Sequence, residues 1–161
     1  MVTISIDPGY ERLGIAVIQK EKGKKEELLF SECFKTSPKI KLHERIFLVG
    51  KEVEKIIEQY KPNRFAIESV FHTNNTKTVL GVAEVRGVLM FIASNHNLTI
   101  SEYTPPQIKN AVTGYGKATK EQVYLMVTKL IHISKDTKQD DEIDAIAIGL
   151  TDLASARDIH K

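Results

Sequence analysis

Four carboxylates are set into apolar segments of this 161-residue chain, and no other feature restricts its fold as tightly. Asp7 ends Thr3-Ile4-Ser5-Ile6, Glu68 ends Arg64-Phe65-Ala66-Ile67, and Asp141 and Asp144 stand at the head of Ile143-Asp144-Ala145-Ile146-Ala147-Ile148. A charged group in such surroundings is costly unless it is paired, hydrogen-bonded or bound to a cation. Taken singly, three of the four have a plain structural reading. Asp7-Pro8-Gly9 is good turn chemistry, Glu68 is a strand end reaching solvent, and Asp141 suits the start of a helix. Asp144 is harder to explain, because its neighbours are apolar and it shares a helix face with Asp141 by the i,i+3 rule. Brought together, the four would repel and raise one another's pKa unless a divalent cation neutralised them. Hard oxygen ligands without a Cys or His cluster point to Mg²⁺ or Mn²⁺. Two such ions clamp the attacking water and leaving oxygen of an in-line phosphodiester displacement.

The patterning around these acids gives the order of elements. Residues 2–6 and 13–18 are β-branched runs separated by Pro8-Gly9, and Gly23 with its flanking lysines turns the chain into 28–34. These predict three strands joined by hairpins. Leu42, Ile46, Val49, Val53, Ile56 and Tyr60 recur every three or four residues, which predicts an amphipathic helix closed by Pro62. A short strand at 65–67, a helix at 77–93 and a fifth strand at 98–103 follow. Pro105 and Pro106 open a short helix through Val112; Thr119 and Gln122 have capping-box spacing for a helix to about Ile131. The last helix runs from Asp140 or Asp141 to about Ala156. The order implies an α/β fold, a mixed five-stranded sheet with helices on its faces. Length and a 42% hydrophobic content fit a single domain over 1–161. The helix at 77–93 carries Val79, Leu80, Val82, Val85, Val88, Leu89, Phe91 and Ile92 around more than one face, so a second subunit is expected against it.

Bulk charge is uninformative: 23 Lys plus Arg against 21 Asp plus Glu leave a formal +2, so any polyanion partner must be argued from clustering. Cys33, the sole cysteine, reads as a small buried hydrophobe. No N-terminal signal and no long uninterrupted apolar run are present, and a soluble, cytoplasmic protein is expected.

Five segments resemble the bacterial RuvC family of Holliday-junction resolvases. They are Ile6-Asp7-Pro8-Gly9 with Leu13-Gly14-Ile15-Ala16-Val17; Ala66-Ile67-Glu68-Ser69-Val70-Phe71; Val85-Arg86-Gly87-Val88; the run from Lys109-Asn110-Ala111 through Gly114-Tyr115-Gly116-Lys117 to Lys120; and Asp141-Glu142-Ile143-Asp144-Ala145-Ile146-Ala147. The resemblance implies an RNase H-like fold, a homodimer, a branch-migration helicase as partner, and Mg²⁺-dependent symmetric cuts in two strands of a four-way DNA junction. It places Asp7, Glu68, Asp141 and Asp144 as catalytic metal ligands, with Asp141 the most replaceable because relatives sometimes carry histidine there. It makes Lys109 and Lys120 phosphate ligands, with Lys117 beside them, and it has Phe71 stack on junction bases. Glu84 stands where many relatives have glutamine.

Other readings are bland. Solvated surface lysines are the default for each lysine alone. Gly116-Lys117 lacks the GxxxxGK(S/T) pattern and a preceding strand, which excludes a nucleotide P-loop. Arg86, on a mostly apolar helix, reads as an interface or intrachain ion-pair residue. His72 is a weak phosphate candidate, while His43, His96, His132 and His160 show no metal-ligand spacing and are expected on the surface.

Overall fold

The computed structural model describes residues 1–69, 76–133 and 140–157. Its elements are β1 (Val2–Asp7), β2 (Arg12–Gln19), β3 (Glu27–Lys35), α1 (Leu42–Tyr60), β4 (Arg64–Glu68), α2 (Thr76–Asn95), β5 (Thr99–Tyr103), α3 (Pro105–Thr113), α4 (Lys120–Leu130) and α5 (Asp140–Arg157). The strands form one sheet in the order β3-β2-β1-β4-β5. The first three strands form an antiparallel meander, and β4 and β5 run parallel to β1 and to each other. This is the mixed α/β sheet that the strand pattern predicts, in the RNase H-like form that the family resemblance implies. One end differs usefully from expectation: β1 extends through Asp7, so that carboxylate is the last paired residue of the central strand.

Each face of the sheet has its own core. Ile4, Ile6, Leu13, Ile15, Phe65 and Ile67 pack against Val49 and Val53 of α1 and Val85 and Leu89 of α2. Ala16, Ile18 and Ala66 pack on the other side against Ile108, Val127, Ile146 and Leu153 of α3, α4 and α5. Because β1 is covered on both faces, its alternation separates two kinds of buried residue. Ile4 and Ile6 face α1 and α2, while Thr3 and Ser5, equally buried, face α5.

That small, hydroxyl-bearing face seats α5. Ser5 Oγ donates to the Ala145 carbonyl at 2.7 Å, and Thr3 Oγ1 donates to Asp152 Oδ2 at 2.9 Å. The helix lies so close that a Cβ on Gly149 would fall 2.7 Å from Ser5 Oγ and 2.8 Å from Ile18 Cδ1. Helix α5 therefore runs antiparallel to β1, and its first turn arrives beside Asp7. There Gly14, paired with Asp7 across β1 and β2, makes room for it. A Cβ on Gly14 would sit 2.0 Å from the Asp141 carbonyl oxygen. Gly14→Ala is accordingly expected to push the head of α5 off the sheet and destabilise the fold by about 1–3 kcal/mol, the scale of overpacking. Thermal denaturation checks this; an unchanged Tm would contradict the close seat.

Helix α2 buries Val85, Leu89 and Ala93 but leaves Leu80 64% and Phe91 65% exposed, with nothing within 4 Å of a Cβ built on Gly87. Residues Thr78–Asn95 are long and apolar enough to cross a membrane by length and composition. Packing accounts for part of this span, since α2 meets α1 and β5 while its Arg86 is buried in ion pairing, but only 22% of it is buried. At the crossing with α1, a Cβ on Gly50 would lie 3.3 Å from Val88 and Ile92 side-chain atoms.

Candidate active site

The site forms where the central strands end. Asp7 and Glu68 are the last residues of neighbouring parallel strands held in the register Ile6 to Ile67. The first turn of α5, set down on Gly14, brings Asp141 and Asp144 over the same end. All four carboxylates line one cleft of about 360 Å³, together with Pro105, Ile108, Lys109, Lys120, Val123 and Ala147. The structure thus brings together every acid singled out in the sequence and two of the three lysines. Lys117 is exposed on the turn between α3 and α4 and does not line the cleft. Phe71 and His72 lie outside the described residues.

The end of β4 is fixed by groups the sequence did not assign to the site. The buried Arg86 guanidinium donates to the Glu68 carbonyl oxygen and pairs with the Glu102 carboxylate on β5. The Ser69 amide donates to the Tyr103 carbonyl at 2.9 Å. Arg86 is therefore an intrachain ion-pair residue, one of the two roles its setting suggested. Cys33 departs from its expected role as a buried hydrophobe. It is half-buried on β3, next to Gly14, with Sγ 3.5 Å from Asp141 Oδ2. Arg12, opening β2, pairs with that same carboxylate oxygen. Of the histidines expected on the surface, His43 and His132 are exposed and His96 is half-buried, while His160 lies outside the described residues.

The acids carry an unresolved excess of negative charge. Burial, followed by the charges of Asp144, Glu68 and Asp141, pushes the Asp7 carboxyl from 3.8 up to about 8 despite Lys120. Burial and then Asp144 push Glu68 from 4.5 up to about 7, against Lys120, Arg86 and Lys109. Asp144 is raised as well, mainly by burial, with Lys120 opposing from 3.5 Å. Among the described residues, no three His, Cys, Asp or Glu side chains are gathered tightly enough to hold one metal ion. Two of the acids are engaged by cationic side chains, Asp141 by Arg12 and Asp144 by Lys120. The donor set nevertheless fits a hard divalent cation. It is all oxygen, and the burial and mutual repulsion that raise Asp7 and Glu68 are what such a charge offsets.

A pH test follows directly. A carboxyl raised on folding stays protonated in the fold at pH values where the unfolded chain has already ionised it. The metal-free contribution of Asp7 and Glu68 to stability is therefore full below about pH 4 and is lost as pH rises through 7 to 8. In EDTA, Tm is expected to fall across this window more steeply for the wild-type chain than for Asp7→Asn. Parallel curves would refute the raised Asp7 carboxyl.

Comparison with known proteins agrees with this geometry. Residues 3–152 match the family model for crossover junction endodeoxyribonuclease RuvC. A RuvC of Fusobacterium nucleatum is 39% identical over 155 residues, covering 96% of this chain and 81% of that protein. A RuvC of Syntrophomonas wolfei is 35% identical over 157 residues, covering 98% and 91%. The fold superposes on Thermus thermophilus RuvC in complex with a Holliday junction substrate with a TM-score of 0.91 at 31% identity, covering 98% of this chain and 95% of that one. The yeast mitochondrial Holliday junction resolvase Ydc2 shares the fold at a TM-score of 0.69 and 10% identity, covering 92% and 76%. With strand ends, helix seat and cleft in the order the family model spans, this chain belongs to the RuvC family of crossover junction endodeoxyribonucleases.

Proposed function

We propose that Asp7, Glu68, Asp141 and Asp144 hold divalent cations, Mg²⁺ with Mn²⁺ as a substitute and two per site, and that a homodimer of this chain makes paired symmetric nicks in four-way DNA junctions. As a crossover junction endodeoxyribonuclease, the chain hydrolyses phosphodiesters of Holliday junctions in recombination and repair. The observation that carries the finer reading is the single cleft lined by all four acids with Lys109 and Lys120 at its side.

When bound, the cations supply an activated water and charge stabilisation for the leaving oxygen. The chain's own residues do the rest. Asp7 and Glu68 would hold the cations from rigid strand ends, with Arg86 fixing the backbone of Glu68. Lys109 and Lys120 receive the DNA phosphates, and Lys120 exchanges its Asp144 contact for them. Lys117 extends this basic edge from the turn that precedes α4, and Phe71 stacks on an unpaired junction base. A branch-migration helicase is the partner that the family resemblance adds.

The dimer forms through the solvent face of α2, where Leu80 and Phe91 flank the open ground at Gly87. Phe91→Glu is expected to yield a monomer by sedimentation velocity and to uncouple the two nicks, whereas a persistent dimer would reject this face. Substrate choice is tested by following cleavage of a strand-labelled four-way junction against excess structured RNA or excess linear duplex. Paired nicks at symmetric positions that resist both competitors are expected. Inhibition by the RNA would favour an RNA-processing nuclease of the same fold.

A further inference from the structure

We propose that Arg12 is a positioning residue that ties Asp141 Oδ2 at the edge of the cleft and competes with the cation for it, so that the fourth carboxylate turns to the ion only when metal breaks the Arg12 bridge. This rests on the metal-binding reading of the cleft given above.

Three features support the latch. First, the Arg12 guanidinium and Cys33 Sγ both meet Oδ2 of Asp141, from β2 and β3 respectively. The side chain is thereby held from the side of the meander, at the edge of the cleft that it lines with Asp7 and Glu68. Second, the backbone of Asp141 is seated closely on Gly14, where a Cβ would meet its carbonyl oxygen at 2.0 Å. From that seat, rotation of its side chain is enough to exchange Arg12 for the cleft it lines. Third, the bridge is breakable. Arg12 is 51% and Asp141 24% exposed, and ion pairs this open to water are weak. A divalent cation with Asp7, Glu68 and Asp144 already beside it outcompetes one guanidinium.

The chemistry separates Arg12 from Lys120. Lys120 stands 3.5 Å from Asp144 inside the cleft, where an arriving phosphate can take it over. Arg12 is not among the residues that line the cleft, so its effect reaches the site through Asp141.

The test is a double-mutant cycle read by Mn²⁺ binding, using isothermal titration of the full chain without DNA. Arg12→Gln is expected to tighten Mn²⁺ binding about three- to five-fold, the fold-change that corresponds to releasing one exposed ion pair. In the Asp141→Asn background the same substitution is expected to change binding by less than about two-fold, because only the general loss of positive charge is left. Equal gains in both backgrounds would reduce Arg12 to background charge and overturn the latch. Weaker binding in Arg12→Gln would overturn it in the other direction, by showing that Arg12 supports the site. Wild-type protein that binds no Mn²⁺ would remove the metal reading and the latch together, whereas wild-type binding indifferent to Arg12 removes the latch alone.

Discussion

Asp7→Asn is expected to lower nicking of a synthetic four-way junction in Mg²⁺ by at least about 10²–10³-fold, the scale of losing one preorganised charge-stabilising group in a water-poor site, while leaving the gel shift in EDTA or Ca²⁺ intact. Asparagine keeps the shape of the side chain but removes the charge that a hard cation needs. Binding depends on other groups, the lysines along the cleft and turn, and they gain rather than lose when a neighbouring negative charge disappears. The same substitution has an opposite effect on the fold. Asp7 is the carboxyl that burial and its neighbours push furthest, to about 8, so the variant is expected to melt higher than wild type in EDTA at pH 8. Loss of activity joined to a gain in metal-free stability marks a residue placed for chemistry. Cleavage that survived the change would remove Asp7 from the site.

The second large effect lies at the opposite end of α5. Asp152 is fully buried, accepting from Arg64 Nε at 2.7 Å, Arg64 Nη2 at 2.8 Å, Thr3 Oγ1 at 2.9 Å and the Tyr103 hydroxyl at 3.0 Å. Burial alone would raise its pKa, but the hydrogen bonds and charge of Arg64 outweigh burial and leave it below 3.8. Arg64→Ala strips the charge partner from a buried carboxylate and is expected to cost about 3–5 kcal/mol. That corresponds to a fall in Tm of roughly 10 °C or more for a chain of this size. The pH dependence distinguishes this from a simple packing loss. In the wild-type chain the lowered carboxyl contributes stability above its unfolded pKa, and that contribution fades as pH falls through the folded value. In Arg64→Ala the unpaired carboxyl is raised instead, so acid relieves it. Denaturant titrations at pH 7 and pH 3.5 should therefore show the gap between the two proteins narrowing in acid. A gap that stayed constant would mean that the pair is not what anchors α5.

These two residues show what a one-dimensional reading reaches. Asp7 and Glu68 were legible because each ends a short apolar run, and a carboxylate there lies at the end of a strand wherever that strand pairs. Asp144 was legible because its neighbours are apolar. Asp152 lies in the same helix but escaped notice. Its partners Thr3, Arg64 and Tyr103 come from three different strands, and a strand whose buried face carries Thr3 and Ser5 looks, by alternation alone, like one that turns that face to water. Arg12 and Cys33 were missed for a related reason. The register that sets Gly14 between Asp7 and Cys33, and the seat of α5 upon it, exist only once the meander has formed. The surplus apolar surface of α2 was readable from composition, because Leu80 and Phe91 exceed what one buried stripe requires. Arg86 was readable as an ion-pair residue, but its hold on the Glu68 carbonyl depends on α2 packing beside β5.

The central claim is that these four acids form a metal site, and a crystal of the wild-type chain soaked in Mn²⁺ and recorded at the manganese absorption edge tests it most directly. The expected result is anomalous density within the cleft, ligated by Asp7, Glu68 and Asp144, with the Asp141 side chain turned from Arg12 toward the ion. A cleft without anomalous density at saturating Mn²⁺, or manganese bound only elsewhere on the protein, would contradict it.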